Sequence, residues 1–440
     1  MVKRKPAWLR ETLQEGEKHA APEGAFRERK RPNKFSSYMA LMSNIIKSEP
    51  SSYDQAADHQ VWKDAMVDEY QSIMKNDVWE IVPRPKGKSV VTSKWLYKIK
   101  HAADGSIDKY KAWFVARGFS QKEGIDYDET FAPVARYTSI RAIITLAAVM
   151  GWNLHQMDVK TAFLNGVIEN EVYIEQPDGF VVHEKQSHVC RLKKALYGFK
   201  QASRAWYSRI DGYLTKMGFT KSEADPNLYF KVVGADPVIL VLYVDDLFLT
   251  GSEKLILKCK RELASEFEMK DLGQLHYFLG LEVWQKPGEI ILSQGKYTVE
   301  ILQKFGMTEC KTMVTPMDAN LKKLASSDSQ LVDPTMYRQL IGSLMYLVNT
   351  RPDICFAVST LSQFMVEPRH EHWIAAKHVL RYLKGIVGYG LRYRVEGGLK
   401  LQGYTDSDWA GSAVDRKSTS GCCFNIGSAV ISWMCRSRLW

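Results

Sequence analysis

At 440 residues the chain is too long for one compact core and is expected to divide into two or three domains, with 45% hydrophobic residues to fill them. Its 60 lysines and arginines outnumber 50 aspartates and glutamates, and this formal +10 favours an anionic partner such as nucleic acid. No apolar run nears the roughly eighteen residues of a membrane span, no signal-peptide core follows the basic N-terminus, and the 7 cysteines show no zinc-type spacing. A soluble, intracellular chain with no membrane partner, no disulfides and no zinc is the expectation.

Residues 1–53 are basic and polar with little periodicity, as in Arg4-Lys5-Pro6 and Arg27-Glu-Arg-Lys-Arg-Pro-Asn-Lys34, and are expected to form a disordered tail or linker. The cluster Arg29-Lys30-Arg31 fits a nuclear-import signal or a phosphate contact, although short basic runs are more often solvated linker.

From Asp54 onward Trp62, Ala65, Met66, Glu69, Tyr70, Ile73 and Met74 recur at helical spacing. Trp79-Glu-Ile-Val82 reads as a strand, and Pro83-Arg-Pro-Lys-Gly-Lys88 as a basic loop. Trp95 to Lys100 and Tyr110 to Phe119 flank Asp104-Gly105, which predicts a hairpin. Lys98, Lys100, Lys109, Lys111 and Arg117 alternate there with apolar residues, a face suited to phosphate or simply to solvent.

The apolar stretch Ile140 to Trp152 precedes Gln156-Met-Asp-Val-Lys-Thr-Ala-Phe-Leu-Asn-Gly166, which places Asp158 where a strand ends and a turn into a helix begins. Further on, Val238-Ile-Leu-Val-Leu-Tyr-Val-Asp-Asp-Leu-Phe-Leu249 reads as strand, tight turn and strand, with Asp245 and Asp246 in the turn. Asp-Asp is ordinary turn chemistry. Two like charges in an apolar hairpin nevertheless oppose each other's ionisation, so the pair should share a proton or hold a hard divalent cation. With Asp158 they make three carboxylates, enough for two metal ions about 4 Å apart.

Leu255 to Phe267 has helical spacing, and Met269 to Val283 reads as turn then strand. Tyr297 to Phe305, Met336 to Thr350, Pro352 to Met365 and His372 to Lys384 show apolar spacing near 3.6 residues. Gly403-Tyr-Thr-Asp-Ser-Asp-Trp-Ala-Gly411, Asp415 to Gly421 and Val430 to Trp433 close the chain.

On the residues Gln156 to Gly166, Tyr197-Gly-Phe-Lys-Gln-Ala-Ser-Arg-Ala-Trp-Tyr207 and Tyr243-Val-Asp-Asp246, from about Asp54 to the C-terminus, the chain resembles the reverse transcriptases of copia-type LTR retrotransposons. The resemblance implies an α+β fold: a right-hand polymerase with fingers, palm and thumb, followed by a connection and a partial ribonuclease H-like fold. The expected divisions are fingers and palm over 54–290, a mainly helical thumb and connection over 291–398, and a truncated ribonuclease H-like segment over 399–440. The implied activity is RNA- and DNA-directed DNA synthesis, two-metal transfer from a dNTP to a primer 3′-hydroxyl, with Asp158, Asp245 and Asp246 holding two Mg²⁺ or Mn²⁺ ions.

The resemblance also makes Phe163 the aromatic that selects deoxyribose, against simple core packing. Lys111 and Arg117 in the fingers, Gly198, Lys200, Gln201 and Arg204 in the second motif, and Tyr243 become candidate template-primer or nucleotide contacts. Lys270 is the candidate general acid for pyrophosphate departure, against an ordinary charge partner after a helix, and Phe278 to Glu282 the candidate primer grip. Asp406 matches the first ribonuclease H metal ligand; the chain ends before further acids appear, so no ribonuclease H activity is expected. Implied partners are RNA and DNA template-primer, dNTPs, a tRNA-type primer, and the element's capsid particle and integrase, with a cytoplasmic, virus-like-particle location and nuclear entry.

Two positions depart from the pattern. Trp113 stands where the family usually carries a basic residue, and loss of that charge should weaken triphosphate binding. Ser203 replaces a usual proline. Two readings follow, a working polymerase and a decayed copy that keeps the fold and binds nucleic acid without turnover.

Overall fold

A computed structural model describes residues 49–101, 107–318, 329–395, 398–409 and 418–438. The Arg29-Lys30-Arg31 cluster, the Asp104-Gly105 turn and Asp415 lie outside the described residues.

Helix α1 spans Tyr53–Ala57 and α2 spans Gln60–Lys75, where Trp62, Ala65, Met66, Glu69 and Ile73 are buried at three- and four-residue intervals. Strands β1 (Trp79–Pro83) and β2 (Val90–Val91) come next, then the long pair β3 (Ser93–His101) and β4 (Ile107–Ala116). The α2 stripe packs on the inner face of β3 and β4, where Trp62 stands edge-on to Tyr97 and Tyr110 with ring centres 5.4 and 4.9 Å away.

Helix α3 (Tyr137–Met150) ends at Gly151, whose φ of 68° suits a left-handed cap. It leads to β5 (His155–Val159), β6 (Tyr173–Ile174) and β7 (His188–Leu192), and then to α4 (Ala202–Lys216). Strands β8 (Thr220–Lys221), β9 (Leu228–Val233), β10 (Asp236–Tyr243) and β11 (Asp246–Gly251) follow, then α5 (Glu253–Glu266) and β12 (Met269–Gln274). The central sheet has the order β12-β5-β11-β10-β9-β8, and every neighbouring pair is antiparallel.

The apolar run of β10 and β11 is continuous because both faces are covered. Leu240, Leu242, Leu247 and Leu249 pack with α4 and α5 residues on one side, whereas Ile239, Val241 and Phe248 pack with α3 on the other. This double cover makes the strands a rigid base for whatever their tips carry.

Strands β13 (Tyr277–Phe278), β14 (Leu281–Lys286) and β15 (Glu289–Ser293) begin another sheet, separate from the central one. Helices α6 (Gly295–Lys304), α7 (Pro334–Leu347), α8 (Cys355–Ser362) and α9 (His370–Gly385) form a separate apolar core, and β16 (Gly390–Arg394) returns to pair with β15. The division at 290/291 drawn from the sequence therefore falls inside β15. Strands β17 (Leu401–Ser407), β18 (Ser418–Ile426) and β19 (Ala429–Arg438) complete an antiparallel sheet. Its β19 is tied to the rest by Arg141 of α3, which is buried, donates to the Ile431 and Asn349 carbonyls at 3.1 and 2.7 Å, and lies 4.0 Å from the Trp433 ring.

The α+β class is as expected, with two local corrections. Asp245 and Asp246 do not share the turn: Val244 and Asp245 form it, and Asp246 opens β11 opposite Tyr243. Met269 to Gln274 is an edge strand rather than a turn, because it finishes the hydrogen bonding of β5. The strand carrying Asp158 ends at Val159 and turns, as expected, into a helix, the short 3₁₀ segment Ala162–Asn165. Among the described residues no helix is long and apolar enough to cross a membrane.

Candidate active site

Four strands bring the site together in one row. Lys270 on β12 stands opposite Asp158 on β5, Asp158 opposite Asp246 on β11, and Asp246 opposite Tyr243 on β10. Directly opposed residues share a sheet face, so these four side chains emerge together, on the face that also carries Gln156 and Phe248. Asp158 and Asp246 are half-buried, while Asp245 projects from the turn beside them.

Burial, and then the charge of Asp245, pushes the Asp158 carboxyl up; Lys111, Lys270 and Lys100 pull it back. Asp246 is also pushed up, first by burial and then by Asp245 and Asp158, against a hydrogen bond from Gln156 Nε2 to its Oδ1 at 3.1 Å. The charge of Asp245 thus loads both neighbouring carboxyls, and that of Asp158 loads Asp246, a load that a divalent cation relieves. Among the described residues no three His, Cys, Asp or Glu side chains are already gathered closely enough to hold a metal ion. The donor chemistry, three carboxylates and no soft ligand, fits Mg²⁺ or Mn²⁺.

The turn itself is held at both carbonyls. Val159 N–H donates to the Asp245 carbonyl at 2.8 Å, and Trp206 Nε1–H donates to that of Val244 at 2.6 Å.

The β3–β4 hairpin carries a basic face whose Lys100 and Lys111 are near enough to act on the charge of Asp158. Lys98 is opposite Lys111 and Lys100 opposite Lys109, and Leu96 faces Trp113 on the same side. Lys98 pairs with Glu49 at 3.1 Å and Lys109 with Asp68 at 3.4 Å; among the described residues Lys100 and Lys111 have no ion pair. Burial lowers the Lys111 pKa, as do Lys100 and Lys109, while Asp158 and Glu69 act in the opposite sense. Arg117, exposed, follows β4 directly.

Phe163 lies in the 3₁₀ turn after β5, edge-on to Tyr197 at 5.1 Å, and packs against two apolar clusters. Gly198, at φ 90°, is in contact with the backbone of the hairpin's end: a Cβ there would lie 2.2 Å from the Ala116 carbonyl oxygen. Lys200 and Gln201 are engaged by the loop after β4. Lys200 Nζ donates to the Tyr127 hydroxyl at 2.9 Å, and Gln201 Nε2 to the Asp126 carbonyl at 3.0 Å. Arg204 pairs with Glu129.

Asp406 is on β17, opposite Gly421, and exposed, on a different sheet from the other acids. The Phe278 to Glu282 segment forms a two-residue hairpin whose Leu279 carbonyl accepts from the Tyr346 hydroxyl at 2.6 Å. Two residues had no role assigned from sequence, Gln156 and Trp206. Gln156 had a signal, being two residues before Asp158 on the same strand face; Trp206 had only its place in the motif.

The family model described as reverse transcriptase (RNA-dependent DNA polymerase) matches residues 76–319. The chain is 40% identical over 411 residues to the retrovirus-related Pol polyprotein from transposon RE2 of Arabidopsis thaliana, a match covering 93% of this chain and 28% of that protein. It is 42% identical over 400 residues to the corresponding polyprotein from transposon TNT 1-94 of Nicotiana tabacum, covering 88% and 30%. The chain spans less than a third of the length of these relatives. A foamy viral protease-reverse transcriptase in complex with double-stranded DNA is similar at a TM-score of 0.40 and 10% identity, over 95% of this chain and 70% of that one.

Proposed function

Because the chain belongs to the reverse transcriptase (RNA-dependent DNA polymerase) family, in its copia-type retrotransposon branch, and has that family's α+β polymerase fold, we propose that it extends DNA primers on RNA and DNA templates with dNTPs. The observation that carries the reading is the direct opposition of Asp158 and Asp246 across β5 and β11, with Asp245 next in the chain.

In this reading Asp158, Asp245 and Asp246 hold two Mg²⁺ or Mn²⁺ ions. When bound, these would lower the pKa of the primer 3′-hydroxyl and neutralise charge on the leaving pyrophosphate. Gln156 steadies one carboxylate oxygen of Asp246. Lys270, beside Asp158, donates the proton that pyrophosphate takes as it leaves. Lys100 and Lys111 meet the triphosphate, and Phe163, backed by Tyr197, bounds the sugar so that deoxynucleotides are preferred. Template-primer contacts fall to Arg117, Gly198, Lys200, Gln201, Arg204 and Tyr243, with a tRNA-type primer, capsid particle and integrase as partners of the longer polyprotein.

A second reading, retained fold without turnover, is favoured by Trp113, which opposes Leu96 and leaves an apolar pair on the otherwise basic hairpin face. Primer extension on poly(rA)/oligo(dT) with Mg²⁺, using Asp245→Asn as control, separates the two. Extension by the chain and not by the variant supports the polymerase. Equal duplex binding with no extension by either supports the relic.

A further inference from the structure

We propose that Trp206 is a positioning residue for the acidic turn, its indole N–H fixing the peptide that aims Asp245 toward Asp158 and Asp246; this rests on the polymerase reading above. Val244 holds φ at 57°, a left-handed conformation that a β-branched side chain resists. Asp245, the second residue of the same turn, is not in that region. A positive φ at the first central residue alone is the pattern of a II′ hairpin turn, whose preferred first residue is glycine. Valine there means that the surroundings must enforce the shape.

The enforcement comes from α4 and β5. The Trp206 indole nitrogen lies 2.6 Å from the Val244 carbonyl oxygen, and its ring is 1% exposed and edge-on to Phe267 at 5.3 Å. The start of α4 is seated against the turn after β5: a Cβ on Gly166 would lie 2.6 Å from the Trp206 backbone nitrogen. Val159 N–H takes the next carbonyl, that of Asp245. With the indole donor gone, the Val244–Asp245 peptide is free to rotate away from its strained conformation, and the Asp245 side chain turns with it.

Trp206→Phe keeps an aromatic ring in the core and removes the donor, and adding Val244→Gly removes the strain the donor opposes. The experiment measures four quantities on the full chain: thermal unfolding, template-primer affinity, Mn²⁺ affinity by water-proton relaxation, and single-nucleotide extension. In Trp206→Phe we expect cooperative unfolding and unchanged duplex affinity, Mn²⁺ binding at least tenfold weaker, and kcat reduced tenfold to a hundredfold with little change in KM for dNTP. Trp206→Phe/Val244→Gly should recover most of both losses.

A folded Trp206→Phe with wild-type Mn²⁺ affinity and kcat overturns the proposal. So does a loss that Val244→Gly does not relieve, which marks Trp206 as a core residue alone. Should the wild-type chain itself extend no primer, the polymerase reading fails separately. Hydrogen exchange of the peptide containing Val159 still decides the positioning role, faster exchange in Trp206→Phe supporting it and unchanged exchange overturning it.

Discussion

Lys270 stands directly opposite Asp158 across the ladder of β12 and β5, a cation on the edge strand facing a carboxylate on its neighbour. Two roles are open to it, charge neutralisation and proton donation, and arginine separates them because it keeps the charge but does not release a proton near neutral pH. Lys270→Ala should slow nucleotide addition roughly a hundredfold. Rapid-quench measurement of Lys270→Arg should find a loss of similar size; a wild-type rate would leave Lys270 a charge partner only.

Glu69, on α2, is buried at 8% exposure with Oε1 lacking a hydrogen-bond partner, and burial pushes its carboxyl up from 4.5 to about 7, against the Phe114 backbone and Lys111. The folded state therefore holds this proton more tightly than the unfolded chain. Its contribution is fully present below about 4.5, is lost as pH rises toward 7, and is level above. Glu69→Gln should be more stable than wild type at pH 8 by an amount on the order of 3 kcal/mol at most, and the difference should vanish near pH 4. Urea denaturation at several pH values measures it, and a constant difference would refute the assignment.

Gly198 and Gly212 bracket the range of what a methyl group does here. At Gly198 the backbone is left-handed and a Cβ meets the Ala116 carbonyl oxygen, so Gly198→Ala should destabilise by about 2 kcal/mol or more. At Gly212, inside α4, nothing lies within 4 Å, and Gly212→Ala should stabilise by about 0.5–1 kcal/mol. Opposite shifts in thermal midpoint are the expected outcome.

The paired lysines Lys98–Lys111 and Lys100–Lys109 place like charges in opposition across β3 and β4, an arrangement that costs stability until an anion joins it. Inorganic tripolyphosphate should raise the melting temperature, by roughly 2–4 °C per kcal/mol of binding linkage. Lys100→Gln or Lys111→Gln should blunt the rise more than Lys98→Gln, because Lys98 already has Glu49. An equal response in all three would mean that the anion binds elsewhere.

The expected helices of α2, α5 and the four-helix unit were legible because each needs only one apolar stripe at its own spacing. The same holds for β10 and β11, whose run of β-branched and leucine residues admits no other comfortable place than a strand covered on both faces. β12 was not legible. Met269 to Gln274 has no apolar alternation, being an edge strand with mostly exposed side chains, and only the free hydrogen-bonding edge of β5 makes it a strand.

By itself the sequence determined that two acids sit at a hairpin and a third near a strand end, since β-propensity, turn chemistry and charge are local properties of those residues. The tertiary structure decided which of them face one another: Asp246, not Asp245, opposes Asp158, with Lys270 on the far side. It also decided that the turn is Val244–Asp245 and that Trp206 holds it. The physical reason is register. A shift of one residue along β5 or β11 would send every side chain to the other face, and what forbids that shift is the packing of two cores and the hydrogen bonds between strands far apart in the chain, which no local pattern contains.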